Sequence, residues 1–300
     1  MAHKLCLILS LCFSSFPALA NVVARIPIDK ESAFCRGSAR WEDQGEYHIE
    51  LLKLALAESG VDVRIEPVCM FYPSEKRRVP LLLDGTEINV IFFGTTHQRE
   101  KLLKAVYVPL FLGTTGLRMF LVRKETLAVL SKFSRLGDFQ SMTFGQGLGW
   151  PDGEILRQNG FSVVGAPYET LHKMLSLGRF DIYPRSYWQI ASEFEWMSKD
   201  ANNIAIIPNL AFYYPQPIYF FVSPRHPELH KALTRGLQHS YFNGKMLELL
   251  LSHPQTAPSF NRIDLQSLCL MYLPTKHLTT QSLNAMQTFK LPEKYHPRPC

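Results

Sequence analysis

Two rhythms of apolar residues alternate along this chain, one with a helical period near four and one with the strand period of two. Residues 22–26 (VVARI) predict a strand. Residues 47–59 (YHIELLKLALAES) place apolar side chains along one helical face, and Gly60 follows as a C-terminal cap. Residues 61–68 alternate as a strand, and 74–83 predict a helix closed at Asp84-Gly85, with Pro80 weakening its middle. Residues 88–93 (INVIFF) are apolar throughout, as a strand buried on both faces requires. The order β-α-β-α-β predicts a parallel sheet covered on both faces.

The rhythm then restarts. Helices are predicted over 127–136, 151–159, 169–177 and 192–200, and strands over 141–144, 161–164, 180–183 and 204–207. The helix at 151 has Pro151 in its first turn and Gly160 past its end, the positions each residue prefers. Two long extended stretches, 117–123 (LRMFLVR) and 218–223 (IYFFVS), flank this second unit, and 227–252 predicts a long, interrupted helical segment. The simplest topology makes the second unit an insertion reached by two crossings. The expected fold is α/β: two Rossmann-like α/β lobes joined by two crossing segments, with the ligand cleft between them. The tail over 255–300 is rich in Pro, Thr and Ser and shows no period, so it is expected to be irregular and packed on the first lobe. No solenoid repeat is visible.

The first twenty residues, MAHKLCLILSLCFSSFPALA, follow a different pattern. Lys4 precedes an apolar run over 5–13, and Ala18-Leu19-Ala20 is a small-x-small cleavage pattern. The run is too short to span a bilayer as a helix, and Leu11 before Cys12 argues against lipidation. The expectation is a secretory signal peptide over 1–20 and a soluble, periplasmic mature chain starting at Asn21. Removing 20 of the 300 residues leaves 280, above the usual size of a single core. A hydrophobic share of 46% with 19% charged residues describes a globular protein, and no later window of eighteen apolar residues predicts a membrane span. The formal charge of +6, less Lys4, is +5. The dense basic run Glu75-Lys76-Arg77-Arg78 reads as a solvated helix face rather than a nucleic-acid patch, so nucleic acid is not an expected partner.

Cys6 and Cys12 leave with the signal, and Cys35, Cys69, Cys269 and Cys300 remain. Four cysteines in an oxidising compartment suggest two disulfides with three possible connectivities. Cys35–Cys69 with Cys269–Cys300 is favoured, because each pair staples one local region. No CxxC pair occurs, which argues against zinc and thioredoxin-type chemistry. Nucleophile-elbow, HExxH, Walker A and EF-hand patterns are absent as well. His226 and His230 are four apart without a third ligand in sight, so they read as an ordinary helix N-terminus. Gly145-Gln146-Gly147-Leu148-Gly149-Trp150 imitates a dinucleotide fingerprint but fails at Trp150, where close helix–strand packing needs a small residue. That turn opens a helix at Pro151-Asp152, so its free N–H groups suit an anion or a carbonyl oxygen; a purely structural turn is the alternative. No metal or cofactor is expected.

The stretch Gly94-Thr95-Thr96-His97-Gln98-Arg99-Glu100, with Val108-Pro109-Leu110 and Gly116-Leu117-Arg118, resembles the family 3 extracellular solute-binding proteins. These are periplasmic, type II, two-lobed proteins, many of which serve amino-acid ABC importers. Residues 144–161 (FGQGLGWPDGEILRQNGF) and 171–186 (LHKMLSLGRFDIYPRS) resemble a less characterised branch of that family, and the likeness covers nearly all of 21–250. The resemblance implies lobe 1 over 21–117, an inserted lobe 2 over 118–222, and the rest of lobe 1 with its tail over 223–300. It implies a Thr-x-x-Arg clamp on a ligand carboxylate at Thr96 and Arg99, with Thr95 beside it; the alternative for Arg99 is a surface bridge to Glu100. Second-lobe contacts fall on Gly147, Gly149, Trp150, Arg185 and Ser186. Arg185 and Ser186 stand where amino-acid binders often carry an acid for the ligand's ammonium, which points to a more anionic solute. An ion pair of Arg185 with Glu193 or Glu195 is the other reading. Phe92, Trp150, Tyr183 and Tyr187 are candidates for an apolar cleft wall.

The implied function is capture of a small polar solute, amino-acid-like or carboxylate-bearing, by lobe closure, with delivery to an ABC permease or a membrane receptor. The chain is expected to be a monomer and not an enzyme. Two alternatives stand beside it: a dehydratase-like enzyme using Glu154 or Asp152 as general acid, and an exported protein with a non-transport, protein-binding role.

Overall fold

The computed structural model describes residues 22–276 and 278–299, so the expected signal peptide and Cys300 lie outside the described residues. Strand β1 (Val22–Asp29) runs parallel to β2 (Val63–Met70), and α1 (Tyr47–Glu58) makes the crossover between them. Its buried face carries Tyr47, Ile49, Leu51, Leu52, Ala55 and Leu56. Next come α2 (Glu75–Asp84), β3 (Val90–Gly94), α3 (His97–Leu102) and the short β4 (Lys104–Ala105). Gly85 ends α2 in the left-handed conformation at φ +66°, which its missing Cβ permits.

The chain then enters a second body. This comprises β5 (Leu117–Arg123), α4 (Lys124–Leu130), β6 (Thr143–Gly147), α5 (Pro151–Gln158), β7 (Ser162–Ala166), α6 (Tyr168–Ser176), β8 (Ile182–Ser186), α7 (Tyr187–Met197) and β9 (Ile204–Tyr213). It returns through β10 (Ile218–Val222) to α8 (Pro227–Phe242) and α9 (Lys245–Ser252). The tail holds α10 (Ala257–Arg262), β11 (Cys269–Tyr272), α11 (Thr280–Thr288) and β12 (Arg298–Pro299). A seven-stranded mixed sheet in the order β12-β11-β9-β5-β8-β6-β7 forms the centre of the second lobe. Phenylalanines fill one of its faces, with Phe212 between Phe120 and Phe139 at ring separations of 4.8 and 5.0 Å.

Three expectations change. The first lobe is not one parallel sheet: β3 and β4 both pair antiparallel with the returning β10, while β1 and β2 form a separate parallel pair. An apolar run such as IYFFV declares burial but not its partner, and here a strand over a hundred residues away takes the slot. The buried Asn89 side chain bridges the two groups, accepting from Arg25 N at 2.7 Å and donating to Val23 O at 2.8 Å. Helix α7 starts at Tyr187, five residues before the predicted 192, and β9 runs on to Tyr213. The tail is also not irregular, nor confined to the first lobe. Strand β11 extends the second lobe's sheet, parallel to β9, with β12 beside it. Four residues between Ser, Pro and Thr are too few to show a period.

A disulfide joins Cys35, in the loop after β1, to Cys69 of β2, as the sequence favoured. Cys269 is disulfide-bonded too. His226 and His230 each place Nε2 2.9 Å from a backbone carbonyl, of Gly85 and Ala105. Among the described residues no helix is long and apolar enough to cross a membrane, and no cluster of three metal-capable side chains occurs.

Candidate functional site

The carboxyl ends of β3, β6 and β8 face one another across a cavity of about 390 Å³. Open α/β sheets characteristically bind ligands there, where loops and helix N-termini leave the sheet. The first lobe contributes Arg78 from α2 and Phe92, Phe93 and Gly94 from β3. The second contributes Arg118 at the start of β5, Trp150 to Asp152 at the start of α5, Arg185 and Ser186 at the end of β8, and Trp188, Gln189 and Glu193 from α7. Gln216 lines the cavity from the return crossing. A methyl group on Gly94 would stand 3.6 Å from Pro151 Cγ, so the lobes nearly touch at this point.

Two guanidinium groups organise the second-lobe wall. Arg118, 4% exposed, is ion-paired with Asp152 and donates through Nη1 to Ser186 Oγ at 2.6 Å. Ser186 Oγ–H donates in turn to Thr115 O at 3.1 Å, and Tyr214 OH donates to Asp152 Oδ1 at 2.8 Å. Burial pushes the Tyr214 phenol well above its ordinary pKa, so it stays a donor. Arg185, 3% exposed, grips Glu193 with both ends of its fork, Nε at 2.5 Å and Nη2 at 2.6 Å. Burial opposes its charge, but the Glu193 carboxylate, together with Tyr183 and Tyr168, holds the pKa above the ordinary arginine value.

Four residues of this wall also carry a polar atom that is sealed from solvent and has no hydrogen-bond partner: Arg118 Nε, Arg185 Nη1, Trp188 Nε1 and Gln216 Oε1. Each unsatisfied buried group costs about 1–3 kcal/mol, so such a cluster calls for an explanation. Trp188 is held by stacking on Phe111 at 3.9 Å, which fixes where its N–H points. Gln216 is fixed by donating Nε2 to Thr95 O at 3.1 Å. Behind the first-lobe wall, the His48 ring stacks on Phe92 at 3.9 Å.

Of the residues the sequence singled out, Trp150, Arg185 and Ser186 line the cavity, and Arg185 also makes the ion pair with Glu193. Thr95, Thr96 and Arg99 do not line it. Thr95 is fully buried, and its hydroxyl donates to Glu100 at 2.5 Å. Thr96 caps α3 by accepting from Arg99 N at 3.2 Å. Arg99 donates to Gly94 O and lies over the Phe93 ring. The expected clamp is thus occupied in shaping its own turn. Gly147 and Gly149 act through shape: a methyl on Gly147 would come within 2.4 Å of the Trp150 ring, and Gly149 has φ +79°. Among the aromatic candidates Phe92 lines the wall, whereas Tyr183 packs behind Arg185 and Tyr187 bonds to Ser259 O and Ile263 O. Glu154 is exposed outside the cavity, accepting from Gln158 at 3.1 Å.

Arg78, Arg118, Glu193, Gln189 and Gln216 were not singled out for the cleft. Arg118 had a signal: of the two arginines in LRMFLVR it is the one followed by the apolar run MFLV within the strand, where it must be buried, and a buried charge demands a partner. Arg78 had none, because the basic run in α2 divides by helical angle, leaving Lys76 and Arg77 exposed while Arg78 turns inward.

No family model and no curated protein sequence matches this chain. Solved structures do. An ancestral arginine-binding protein bound to arginine superposes with a TM-score of 0.54, at 18% identity, over 77% of this chain and 98% of that one. A histidine kinase sensor domain with similarity to periplasmic binding proteins gives 0.54 at 14% identity, over 79% and 97%. An amino acid ABC transporter substrate-binding protein from Streptococcus pneumoniae, bound to L-arginine, gives 0.53 at 12% identity, over 75% and 91%. With its two α/β lobes, two crossings and a cavity between them, the chain has the type II periplasmic-binding-protein fold.

Proposed function

We propose that this chain is an exported solute-binding protein whose lobes close on a small carboxylate-bearing solute. The observation that carries the reading is the set of unpartnered atoms on the cleft wall: three donors, Arg118 Nε, Arg185 Nη1 and Trp188 Nε1, and one acceptor, Gln216 Oε1. A carboxylate supplies the acceptors such donors need, and a hydroxyl or amine on the same solute answers Gln216. The charged groups lining the cavity are three arginines and two carboxylates, a net charge of +1 that favours an anionic group. The similar arginine-binding protein and amino acid ABC transporter substrate-binding protein support a solute the size of an amino acid. The division at 117 and 222 belongs to this reading, with β11 and β12 of the tail lent to the inserted lobe. Delivery runs to an ABC permease or, as in a sensor domain, to a membrane receptor that reads the closed form, and export follows from the signal-like residues 1–20.

The test is a thermal-shift screen of the mature chain against L-glutamate, L-arginine, succinate and related small carboxylates. A ligand at about a thousand times its dissociation constant adds roughly 4 kcal/mol, which is several degrees in a chain of this size. Each hit is repeated with Trp188→Phe, which removes one donor and keeps an aromatic ring against Phe111. A carboxylate bound roughly tenfold more weakly by the variant supports the site, since one hydrogen bond to a charged group contributes about 1.5–3 kcal/mol. A hit that ignores the variant removes Trp188 from it. Silence across the panel moves the weight to the protein-binding alternative.

A further inference from the structure

Arg185 is held in a way that a protein holds a ligand. Its guanidinium lies under three aromatic rings, with centroid distances of 4.7 Å to Tyr183, 5.0 Å to Trp150 and 5.5 Å to Tyr168. Its edge meets the Glu193 carboxylate bidentately, at 2.5 and 2.6 Å. Gln189, with its amide turned so that oxygen faces the cation, accepts from Nη2 at 2.5 Å and Nε at 3.0 Å. Tyr168 completes the frame by donating to Glu193 Oε1 at 3.0 Å. A planar fork on a carboxylate, with π faces above and beside it, is the chemistry that recognises a guanidinium-bearing solute. Trp150, Tyr168, Gln189 and Glu193 all line the cleft cavity, so this frame belongs to the ligand chamber and not to a remote part of the core.

We infer that Arg185 is a built-in guanidinium that fills a cation-binding frame in the cleft and so sets its preference against cationic solutes and toward anions. The inference deepens the proposed function and rests on its placement of the solute in this cavity. Glu193, one of the two carboxylates on the wall, is already fully engaged by the fork and by Tyr168. What the frame leaves over is Arg185 Nη1, buried and without a partner, a donor suited to an anionic acceptor. Arg185 is on this account a specificity-determining residue. Its removal converts the site from one that repels guanidinium ions into one that takes them up.

The experiment is chemical rescue. Purified Arg185→Ala and the unaltered chain are melted with methylguanidinium at ~10 mM, with methylammonium as the equally charged ion that lacks the fork, and the Trp150 part of the fluorescence of the four tryptophans is isolated by comparison with Trp150→Phe. The expected result is a saturable rise in melting temperature for Arg185→Ala with methylguanidinium alone, and none for the unaltered chain with either ion. A folded variant that ignores methylguanidinium overturns the inference. If Arg185→Ala does not fold unaided, both ions are added during refolding. Recovery with methylguanidinium alone supports the inference, and recovery with neither overturns it. The unaltered chain provides a check independent of folding: it is expected to ignore L-arginine, and a saturable L-arginine response that perturbs Trp150 overturns the inference. Gain of methylguanidinium binding by the variant stands even where the solute screen is silent, so the two readings fail separately.

Discussion

His48 is kept neutral by its surroundings, and this has a consequence for stability in acid. Burial above all, with help from the positive charges of Arg78 and His253, pushes its pKa down to about 3. The Glu46 carboxylate, 3.4 Å from Nε2, pulls the other way. Glu46 is half exposed, however, while the imidazole lies flat on Phe92 and is 13% exposed, so burial prevails. The folded-state value lies below the unfolded one of about 6.5, so between the two the unfolded chain binds the extra proton. Stability from this group is therefore complete above pH ~6.5 and lost as the pH falls toward 3. Urea unfolding at pH 7 and pH 5 is expected to show a loss of about 2 kcal/mol that His48→Phe removes; an unchanged pH dependence in the variant refutes the assignment. The same scale shows what the sequence disclosed of the site. Trp150, Arg185 and Ser186 were legible because a glycine turn and a strand end put them at the sheet's carboxyl edge. Thr96 and Arg99 fall outside the cavity lining, and a Thr three residues before a helical N–H caps a helix whether or not a ligand is present.

Elements of this fold meet at glycine where backbones must approach. Helix α8 lies across α1, and a methyl group on Gly236 would stand 1.7 Å from Ala55 O, which is fixed backbone. Gly236→Ala gains about 1 kcal/mol in helix propensity but forces the two helices apart, a cost of about 3 kcal/mol or more. The denaturant midpoint is expected to fall with its slope unchanged. Gly153→Ala in α5 is the control: its new methyl meets only Arg157 and other side chains at 3.4 Å and beyond, so it is expected to be neutral or mildly stabilising. Equal loss from both substitutions would sink the close-approach account. A glycine in the middle of a helical period shows in the sequence, but the helix it faces does not. The sequence likewise yielded α1, α2, α5 and α6 to within a residue or two, since each has its own apolar face and stop signal. It missed the partners of β3 and the extra strand β11, because pairing is decided between segments far apart along the chain.

At the scale of the molecule, the tail binds the lobes together in addition to the two crossings. After α9 of the first lobe, α10 receives the Tyr187 hydroxyl of α7 through Ser259 O at 3.1 Å. Strand β11 then joins β9 of the second lobe, and Leu273 N donates to Tyr213 O at 2.9 Å beside the return crossing. Helix α11 goes back to the first lobe, where Glu100 accepts from Ser282 at 2.7 Å and from Thr279, along with Tyr107 at 3.1 Å and Thr95. Beyond it Leu291 N reaches Leu112 O at 3.3 Å, next to the outgoing crossing, before β12 rejoins β11. Under the proposed function, opening the cleft would rotate one lobe against the other and so strain this strap or release it at its weakest hold. The attachment of α11 is that hold, made by hydrogen bonds around the Glu100 carboxylate and by Tyr241, which donates to Thr288 O and Lys290 O at 3.1 Å and packs its ring on Phe289. The β11–β9 ladder by contrast is continuous backbone pairing, and α10 is packed on α7. Glu100→Ala leaves the two tail hydroxyls without their acceptor, at a cost of about 3 kcal/mol. It is expected to raise amide exchange across Thr280–Thr288 while β5, β8 and β9 keep their protection. It is also expected to increase the radius of gyration in solution scattering, because the open arrangement gains population once the strap is slack. Faster exchange in α11 with an unchanged radius would mean that the tail is anchored at Glu100 but does not restrain the lobes. If neither moves, the strap is held elsewhere and Glu100 serves only its own helix.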